Sequence, residues 1–242
     1  MIQLRRTQER HHDQRGKREV WRTFDPSAAL DRVADGFGAL EAVDESRLPP
    51  RADIPRRVRG TAETITYVRE GEIAYEDSAG QVGVIQAGEF QRMITANEAR
   101  HCEANASRAA WAHVFQIRMR CAETEPEPGR EQKRFSAAER RAGLCVVASP
   151  DGRGGSLRLV QDTVMFSALL GPGQHIVHEL APGRAAWLHV VHGEVAIAEL
   201  VLVAGDGIGV TAERSVSLTA RGDAEILLLE VPADRVGQAG GP

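Results

Sequence analysis

The chain has 242 residues, a formal net charge of −4 and 42% hydrophobic residues. This length is enough for one large domain or two smaller domains, each with its own buried core. The nearly balanced charge gives no electrostatic reason for binding nucleic acid or a membrane surface, so we expect neither as a direct partner.

The N-terminal stretch and the cysteines indicate the compartment. Residues 1–22 are rich in charge and lack the apolar run of a secretory signal. No stretch reaches the roughly 18 apolar residues that are needed to span a bilayer. The three cysteines, Cys102, Cys121 and Cys145, follow no spacing motif, which argues against a disulfide framework or a cysteine-based zinc site. The sequence therefore predicts a soluble, cytoplasmic protein.

Short runs with β-strand character alternate with glycine-containing turns along the whole chain. The clearest runs are residues 64–68, 82–85, 113–117, 187–191 and 225–229. Short strands separated by regular turn signals are typical of a β-sandwich or β-barrel rather than of alternating strands and helices. The sequence therefore predicts an all-β fold.

Residues 121–134 are rich in Glu, Pro and Arg, and we interpret them as a linker or extended crossing segment because Pro blocks regular strand pairing. This segment predicts an N-terminal domain at 1–132 and a C-terminal domain at 133–242. A short helix is predicted at 136–143, with Ser136 as its N-cap and Glu139 three residues later. The Gly-rich end has nothing to bury, which predicts a flexible tail from about residue 233.

The two halves share one pattern. Tyr67-Val68-Arg69-Glu70-Gly71-Glu72-Ile73-Ala74 is echoed by His189-Val190-Val191-His192-Gly193-Glu194-Val195-Ala196. Each segment is followed by a strand-like run and a second turn, Ala87-Gly88-Glu89 or Ala204-Gly205-Asp206. Glycine permits the positive φ of such tight turns. This order of strands and turns is typical of a cupin domain, so the pattern predicts two related cupin domains.

Eight short motifs, in one order, resemble the pirin family. They are Trp21-Arg22-Thr23-Phe24, Gly36-Phe37-Gly38-Ala39-Leu40, Glu63-Thr64-Ile65-Thr66-Tyr67-Val68-Arg69-Glu70-Gly71, Asp77-Ser78-Ala79-Gly80, Ala87-Gly88-Glu89-Phe90-Gln91, Arg100-His101-Cys102-Glu103-Ala104-Asn105, Gln132-Lys133-Arg134-Phe135 and Ser149-Pro150-Asp151-Gly152. The resemblance covers most of the chain and is looser in its C-terminal half. It implies a bicupin of two stacked antiparallel β-barrels of the jelly-roll, or double-stranded β-helix, type.

The resemblance also implies a metal site and two kinds of function. In the family, the N-terminal domain usually holds one iron-type ion with three His and one Glu. Two of these His form a His-x-His pair shortly before the Glu-x-x-x-Tyr-Val strand, and the third His and the Glu form a His-x-Glu pair. Some members have quercetin 2,3-dioxygenase activity, and pirin itself is a nuclear transcriptional cofactor.

This chain departs from the family at the first ligand pair. Counting back from the Glu-x-x-x-Tyr-Val strand, the His-x-His positions hold Arg57 and Arg59, while His101 and Glu103 retain the second pair. A guanidinium is always protonated and offers no lone pair, so it cannot bind a metal ion. Cys102 lies between the retained ligands and faces away from them on a strand, which predicts a packed core residue.

Two interpretations of the altered pocket stay open. In one, Glu63 joins His101 and Glu103 as a third ligand for a single divalent transition metal, although the arginine charges oppose a cation. In the other, Arg57 or Arg59 replaces the metal electrostatically by pairing with Glu103 or Glu63. The charged segment around these arginines is equally compatible with a solvated edge. The predicted pocket residues are Arg57, Arg59, Glu63, His101 and Glu103.

The second half offers no compensating metal site, because the positions equivalent to ligands hold Glu179, Ala181 and Leu218. Its histidines are predicted to have surface or capping roles, and they are His175, His178, His189 and His192.

Three functions follow as hypotheses. The first is a metal-independent small-molecule-binding or regulatory protein, for which no cofactor is expected. The second is a metal-dependent quercetin 2,3-dioxygenase that uses His101 and Glu103. The third is a protein-interaction module. The metal content of the purified protein separates the first from the second.

Overall fold

A computed structural model describes residues 1–24, 36–55, 61–77, 80–95, 101–120 and 129–233, with the backbone alone at residues 95 and 101. The contacts between residues divide the chain into two compact units. The N-terminal unit comprises His11–Arg22 and Leu40–Phe135, and the C-terminal unit comprises Met1–Arg10, Thr23–Ala39 and Ser136–Pro242. Each unit is built almost entirely of β-strands.

The strands of the described residues are, in chain order, β1 (Ile2–Arg5), β2 (His11–Arg15), β3 (Arg18–Arg22), β4 (Leu40–Leu48), β5 (Ala62–Glu70), β6 (Glu72–Asp77), β7 (Val82–Gln86), β8 (Glu89–Thr95), β9 (His101–Asn105), β10 (Ala112–Arg120), β11 (Gly129–Arg134), β12 (Cys145–Ser149), β13 (Leu157–Arg158), β14 (Val164–Leu170), β15 (His175–Glu179), β16 (Arg184–His192), β17 (Glu194–Ile197), β18 (Leu200–Val203), β19 (Gly207–Val210), β20 (Ser215–Ala220) and β21 (Ala224–Pro232). One α-helix, α1 (Ala137–Arg141), and two short 3-10 turns, Thr7–Glu9 and Arg153–Gly155, complete the regular structure of this part of the chain.

The N-terminal unit contains a large sheet with the strand order β11-β8-β5-β10-β4-β3-β2 and a small sheet with the order β7-β6-β9. All their strand pairs are antiparallel. Apolar side chains from both sheets form one buried cluster, which burial of apolar surface stabilises. Its members are Leu48, Ile54, Val68, Ile73, Ile85, Ala112 and Val114.

The C-terminal unit has the same two-sheet plan, with the orders β1-β19-β16-β21-β14-β12-β13 and β15-β20-β17-β18. Its buried apolar cluster is larger and includes Phe166, Leu188, Leu202, Leu218 and Leu228.

The predicted repeat is seen in corresponding turns of the two units. Gly71 joins β5 to β6 with φ 76°, and Gly193 joins β16 to β17 with φ 75°. A Cβ at Gly71 would meet the backbone of Ala112, and a Cβ at Gly193 would meet the backbone of Ala224. Both the positive φ and the close approach require glycine at these two positions.

Most local predictions are confirmed. The five runs predicted as strands lie within β5, β7, β10, β16 and β21. The predicted helix forms at Ala137–Arg141, where Ser136 Oγ accepts the backbone N–H of Glu139 at 3.2 Å. The Glu139 carboxylate accepts the backbone N–H of Ser136 at 2.7 Å, which completes a capping box. The all-β bicupin class is confirmed, while closure into barrels stays a prediction.

Two predictions of chain organisation differ from the structure. Part of the presumed linker is a strand, because β11 pairs with β8 along its whole length. The predicted domains were 1–132 and 133–242, but Met1–Arg10 belongs to the C-terminal unit because β1 pairs with β19. The predicted tail from about residue 233 lies almost wholly outside the described residues. Within the described part of the chain, no helix is long and apolar enough to cross a membrane.

Candidate functional site in the N-terminal unit

The small sheet brings the retained ligand pair of the family to one edge of the unit. Residues paired directly across antiparallel strands share a face of the sheet. Glu103 on β9 is paired with Tyr75 on β6, and the backbone position of His101 is paired with Asp77. The Glu103 side chain is buried, with 5% exposure.

The large sheet places a row of polar residues opposite Glu103. The strand register aligns Gln132, Gln91, Thr66 and Gln116 across β11, β8, β5 and β10. The Gln116 side-chain amide donates a hydrogen bond to Glu103 Oε2 at 2.8 Å. This bond crosses from one sheet to the other, so the polar row and Glu103 face the same space between the sheets.

Glu103 is held in an unusual electrostatic setting. Burial raises the pKa of its carboxyl above the ordinary value, against the opposing effects of the Gln116 hydrogen bond and the positive charge of Arg130. Its second oxygen, Oε1, is buried and has no hydrogen-bond partner among the described residues. A buried carboxylate oxygen without a partner is costly, so this atom is suited to receive a ligand or a water molecule.

Arg130, on β11, is the described cation that influences the Glu103 carboxyl. Its guanidinium carbon lies 3.8 Å from the centre of the Tyr75 ring, and its side chain is only 10% exposed. Its Nη2 lies 3.1 Å from Met93 Sδ and 4.0 Å from an Asp77 carboxylate oxygen. The Nε and Nη1 atoms are buried and have no hydrogen-bond partner in the described structure.

Glu63, predicted as a pocket residue and an alternative ligand, lies on the other face of the large sheet. Its neighbour Thr64 is paired with Met93 and lies on the pocket-facing side of β5. Successive residues of a strand point to opposite faces, so Glu63 points away from the pocket. Glu63 is fully buried and accepts a hydrogen bond from Arg92 Nε at 2.9 Å. Glu63 therefore does not join Glu103 on the pocket-facing side of the described structure.

The side chains of the other predicted pocket residues, Arg57, Arg59 and His101, lie outside the described structure, so the pairing of either arginine with a carboxylate stays a prediction. Cys102 faces away from Glu103 as expected, but it is exposed rather than packed in the core. The prediction of a core cysteine is wrong because the small sheet leaves the outer side of β9 open to solvent at this position.

The four-ligand metal centre that the resemblance implies does not fit the donor set predicted from the sequence. Counting back from the Glu-x-x-x-Tyr-Val strand, two of its positions hold Arg57 and Arg59, which have no lone pair to donate. Glu63 lies on the opposite face of the sheet and cannot compensate. Among the side chains that the structure describes, no three His, Cys, Asp or Glu come together.

The C-terminal unit offers no equivalent site at the predicted positions. Leu218 is buried in the apolar core, and Glu179 and Ala181 are exposed. His175 and His192 are exposed, in agreement with surface roles. His178 is hydrogen-bonded to a Glu230 carboxylate oxygen at 2.8 Å.

His189 contradicts the prediction of a surface or capping role, since it is fully buried on β16. Both faces of this central strand are covered. The side carrying Leu188 packs in the core, and the side carrying Trp187 packs against Phe24 and Phe37.

Sequence reasoning missed several residues of the candidate site, namely Tyr75, Gln91, Gln116 and Arg130. One signal was available. Gln116 lies between Phe115 and Ile117 in a run predicted as a strand, and a polar residue among buried apolar ones indicates an interior polar site when the strand is central. Arg130 lay in the segment interpreted as a linker, so its inward position was hidden until β11 was seen to pair with β8.

The sequence patterns of known families match both units. The family described as Pirin matches residues 5–119, and the quercetinase C-terminal cupin domain matches residues 146–231. The quercetin 2,3-dioxygenase of Escherichia coli strain K12 is 34% identical over 232 residues, which cover 96% of this chain and 99% of that protein.

Solved structures agree with these matches. The crystal structure of YhhW from Escherichia coli has a TM-score of 0.86 and 34% identity, covering 96% of this chain and 98% of that one. The same bacterial pirin in complex with nickel(II) has a TM-score of 0.85 and 33% identity, covering 96% and 99%. Family pattern, identity and fold agree over nearly the whole length, and the chain belongs to the pirin family of bicupin proteins.

Proposed function

We propose that this protein is a pirin-family bicupin that binds a small molecule, or acts as a regulatory protein, without a resident transition metal. The observation that carries the proposal is the replacement of the family's His-x-His pair by Arg57 and Arg59. A metal centre of this kind needs imidazole and carboxylate ligands with lone pairs. Only His101 and Glu103 remain from the implied set of four.

The charge next to Glu103 supports the same proposal. The positive charge that acts on the Glu103 carboxyl is the Arg130 guanidinium, which opposes the binding of a cation there. The polar row of Gln91, Thr66 and Gln116 places hydrogen-bonding groups on strand faces that also carry the apolar cluster. Such a surface is suited to a polar small molecule.

The test is the metal content of the full-length protein, purified without a metal-affinity step and measured by elemental mass spectrometry. We expect far less than one iron, nickel, copper, manganese or zinc ion per chain. The matched variant is Glu103→Ala, which removes a retained ligand. Close to one transition-metal ion per wild-type chain, lost in this variant, would overturn the proposal.

A second candidate is a metal-dependent quercetin 2,3-dioxygenase. Relatives that carry this name favour it, as do the nickel(II) complex of one relative and the retained His101 and Glu103. It predicts quercetin turnover that depends on added metal and is abolished in Glu103→Ala. The first candidate predicts no turnover above that of free metal in buffer.

The wider setting stays a set of predictions. A cytoplasmic location and a protein partner, as in the regulatory role of pirin, are compatible with the proposal. Direct binding of nucleic acid or of a membrane is not part of it, given the balanced charge of the chain.

A further inference from the structure

Three buried side chains between the sheets of the N-terminal unit carry polar atoms without partners in the described structure. They are Glu103, through Oε1, Gln91, through Oε1, and Arg130, through Nε and Nη1. All three lie on faces that look into the space between the sheets. Glu103 accepts a hydrogen bond from a side chain on β10, and Gln91 is paired with Thr66 across β8 and β5. Arg130 stacks on the Tyr75 ring.

Tyr75 lies beside both the acidic and the basic group. It is paired with Glu103 on one neighbouring strand and with Gly83 on the other. A Cβ at Gly83 would overlap the Tyr75 hydroxyl and ring, so the absence of a side chain there lets the ring lie over β7. Arg130 stacks on this ring and forms no ion pair with Glu103 in the described structure, so each keeps unused hydrogen-bonding capacity.

Buried polar atoms in native proteins nearly always have a partner, which is the protein, ordered water or a ligand. The unused atoms here are of opposite kinds. Arg130 offers donors that carry a permanent positive charge, whereas Glu103 and Gln91 offer acceptor oxygens. Asp77 lies 4.0 Å from Arg130, but one of its oxygens already accepts the backbone N–H of Gln81.

We propose that the space between the sheets of the N-terminal unit binds a small hydroxylated carboxylate. The ligand carboxylate accepts hydrogen bonds from Arg130, and a ligand hydroxyl donates a hydrogen bond to Glu103 or Gln91. The proposal rests on the proposed function, since it assigns a ligand class to the metal-free pocket. A carboxylate forms short, charge-assisted hydrogen bonds with a guanidinium, and a hydroxyl supplies the missing donor for the acceptor oxygens. One molecule with both groups satisfies atoms that neither group alone would satisfy.

The experiment is isothermal titration calorimetry with the full-length protein after chelation and dialysis to remove metal. The probes are salicylate and glycolate, each a carboxylate with a neighbouring hydroxyl. The matched controls are benzoate, which lacks the hydroxyl, and 2-hydroxybenzyl alcohol, which lacks the charge. We expect at least one hydroxy acid to bind, and both controls to bind more weakly.

Variants of two arginines on β11 locate the site. Arg130→Gln should weaken binding by about tenfold or more, because it removes a charge-assisted contact. Arg134→Gln should leave affinity unchanged, since Arg134 lies on the same strand with a side chain that is 52% exposed. Arg130→Lys keeps the charge without the planar fork and should give an intermediate affinity. It also serves as the test variant if Arg130→Gln does not fold.

The outcomes separate this inference from the proposed function. Absence of binding by both hydroxy acids, or equal affinity in wild type and the Arg130 variants, would overturn the ligand assignment. Neither result depends on the metal content of the purified protein. That metal content tests the proposed function only. Hydroxy-acid binding that is lost in Arg130→Gln and retained in Arg134→Gln would support the assignment.

Discussion

Gln116 donates its side-chain amide to Glu103 Oε2 at 2.8 Å and so connects β10 of the large sheet to β9 of the small sheet. The same amide lies 3.4 Å from Thr66 Oγ1 in the polar row. The family resemblance implies that a glutamate at this position binds a metal ion. Here the described contacts of Glu103 are those of a buried acid oriented by an amide donor.

The first prediction concerns this contact. Gln116→Met keeps the side-chain volume but removes the donor, which leaves a buried carboxylate with no partner among the described residues. We expect the free energy of unfolding, measured by urea denaturation, to fall by about 1–3 kcal/mol. Adding Glu103→Met should recover part of the loss, because replacing both partners removes the unsatisfied group. An unchanged unfolding free energy in the single variant would contradict the role given to the bond.

The second prediction separates Glu63 from the pocket. Arg92→Met removes the guanidinium that donates to the fully buried Glu63, and should lower the unfolding free energy by about 3 kcal/mol. Affinity for the hydroxy acids should not change, because Glu63 and Arg92 lie on the other face of the sheet. Arg134→Met is the exposed control, with an expected change within about 0.5 kcal/mol. Loss of ligand affinity in folded Arg92→Met would show that Glu63 acts on the pocket.

The third prediction concerns the glycine beneath the Tyr75 ring. In Gly83→Ala the added methyl group overlaps that ring, so either the ring or β7 must move. We expect a destabilisation of about 1–3 kcal/mol, typical of overpacking, and a weakened contact between Tyr75 and Arg130. Gly171→Ala is the control, because no atom lies within 4 Å of a Cβ there. Equal stability of the two variants in thermal denaturation would refute the packing argument.

The fourth prediction is a pH dependence in the C-terminal unit. The hydrogen bond from His178, aided by Arg184, lowers the pKa of the Glu230 carboxyl below its ordinary value. A carboxylate with a lowered folded-state pKa adds stability above its unfolded pKa and loses it as the pH falls through the folded value. Wild type should therefore exceed Glu230→Gln in stability at neutral pH, and the difference should shrink below about pH 4. The measurement is a series of urea denaturations from about pH 3 to 7. A stability difference between wild type and Glu230→Gln that stays constant across the series would contradict the linkage.

Local patterns made much of the fold predictable from the sequence. The Ser136 and Glu139 capping box is a contact over three residues, and it forms as predicted. Gly71 and Gly193 mark equivalent turns because each must adopt a positive φ against a neighbouring backbone. The capping box and the positive φ of the two turns are local features, whereas the close approach of Ala112 and Ala224 to these glycines is a tertiary contact.

The candidate site was harder to predict because it depends on strand register. Alternation alone could not tell which face of β5 carries the pocket, and Glu63 was therefore assigned to the wrong face. The inward position of Arg130 follows from pairing of β11 with β8, a contact between segments about 40 residues apart. His189 was misjudged for a similar reason, since a strand covered on both faces shows no polar side.

The central claim is that two arginines in place of histidines abolish the metal site. The direct measurement is the melting temperature of wild type and of the Arg57→His/Arg59→His double variant, each with and without nickel(II). The double variant restores three His and one Glu with His101 and Glu103. It should gain about 2.7 kcal/mol of stability at a hundredfold excess of metal over Kd, visible as a raised melting temperature. Wild type should show no such gain. An equal rise in wild type, or no rise in the double variant, would contradict the account.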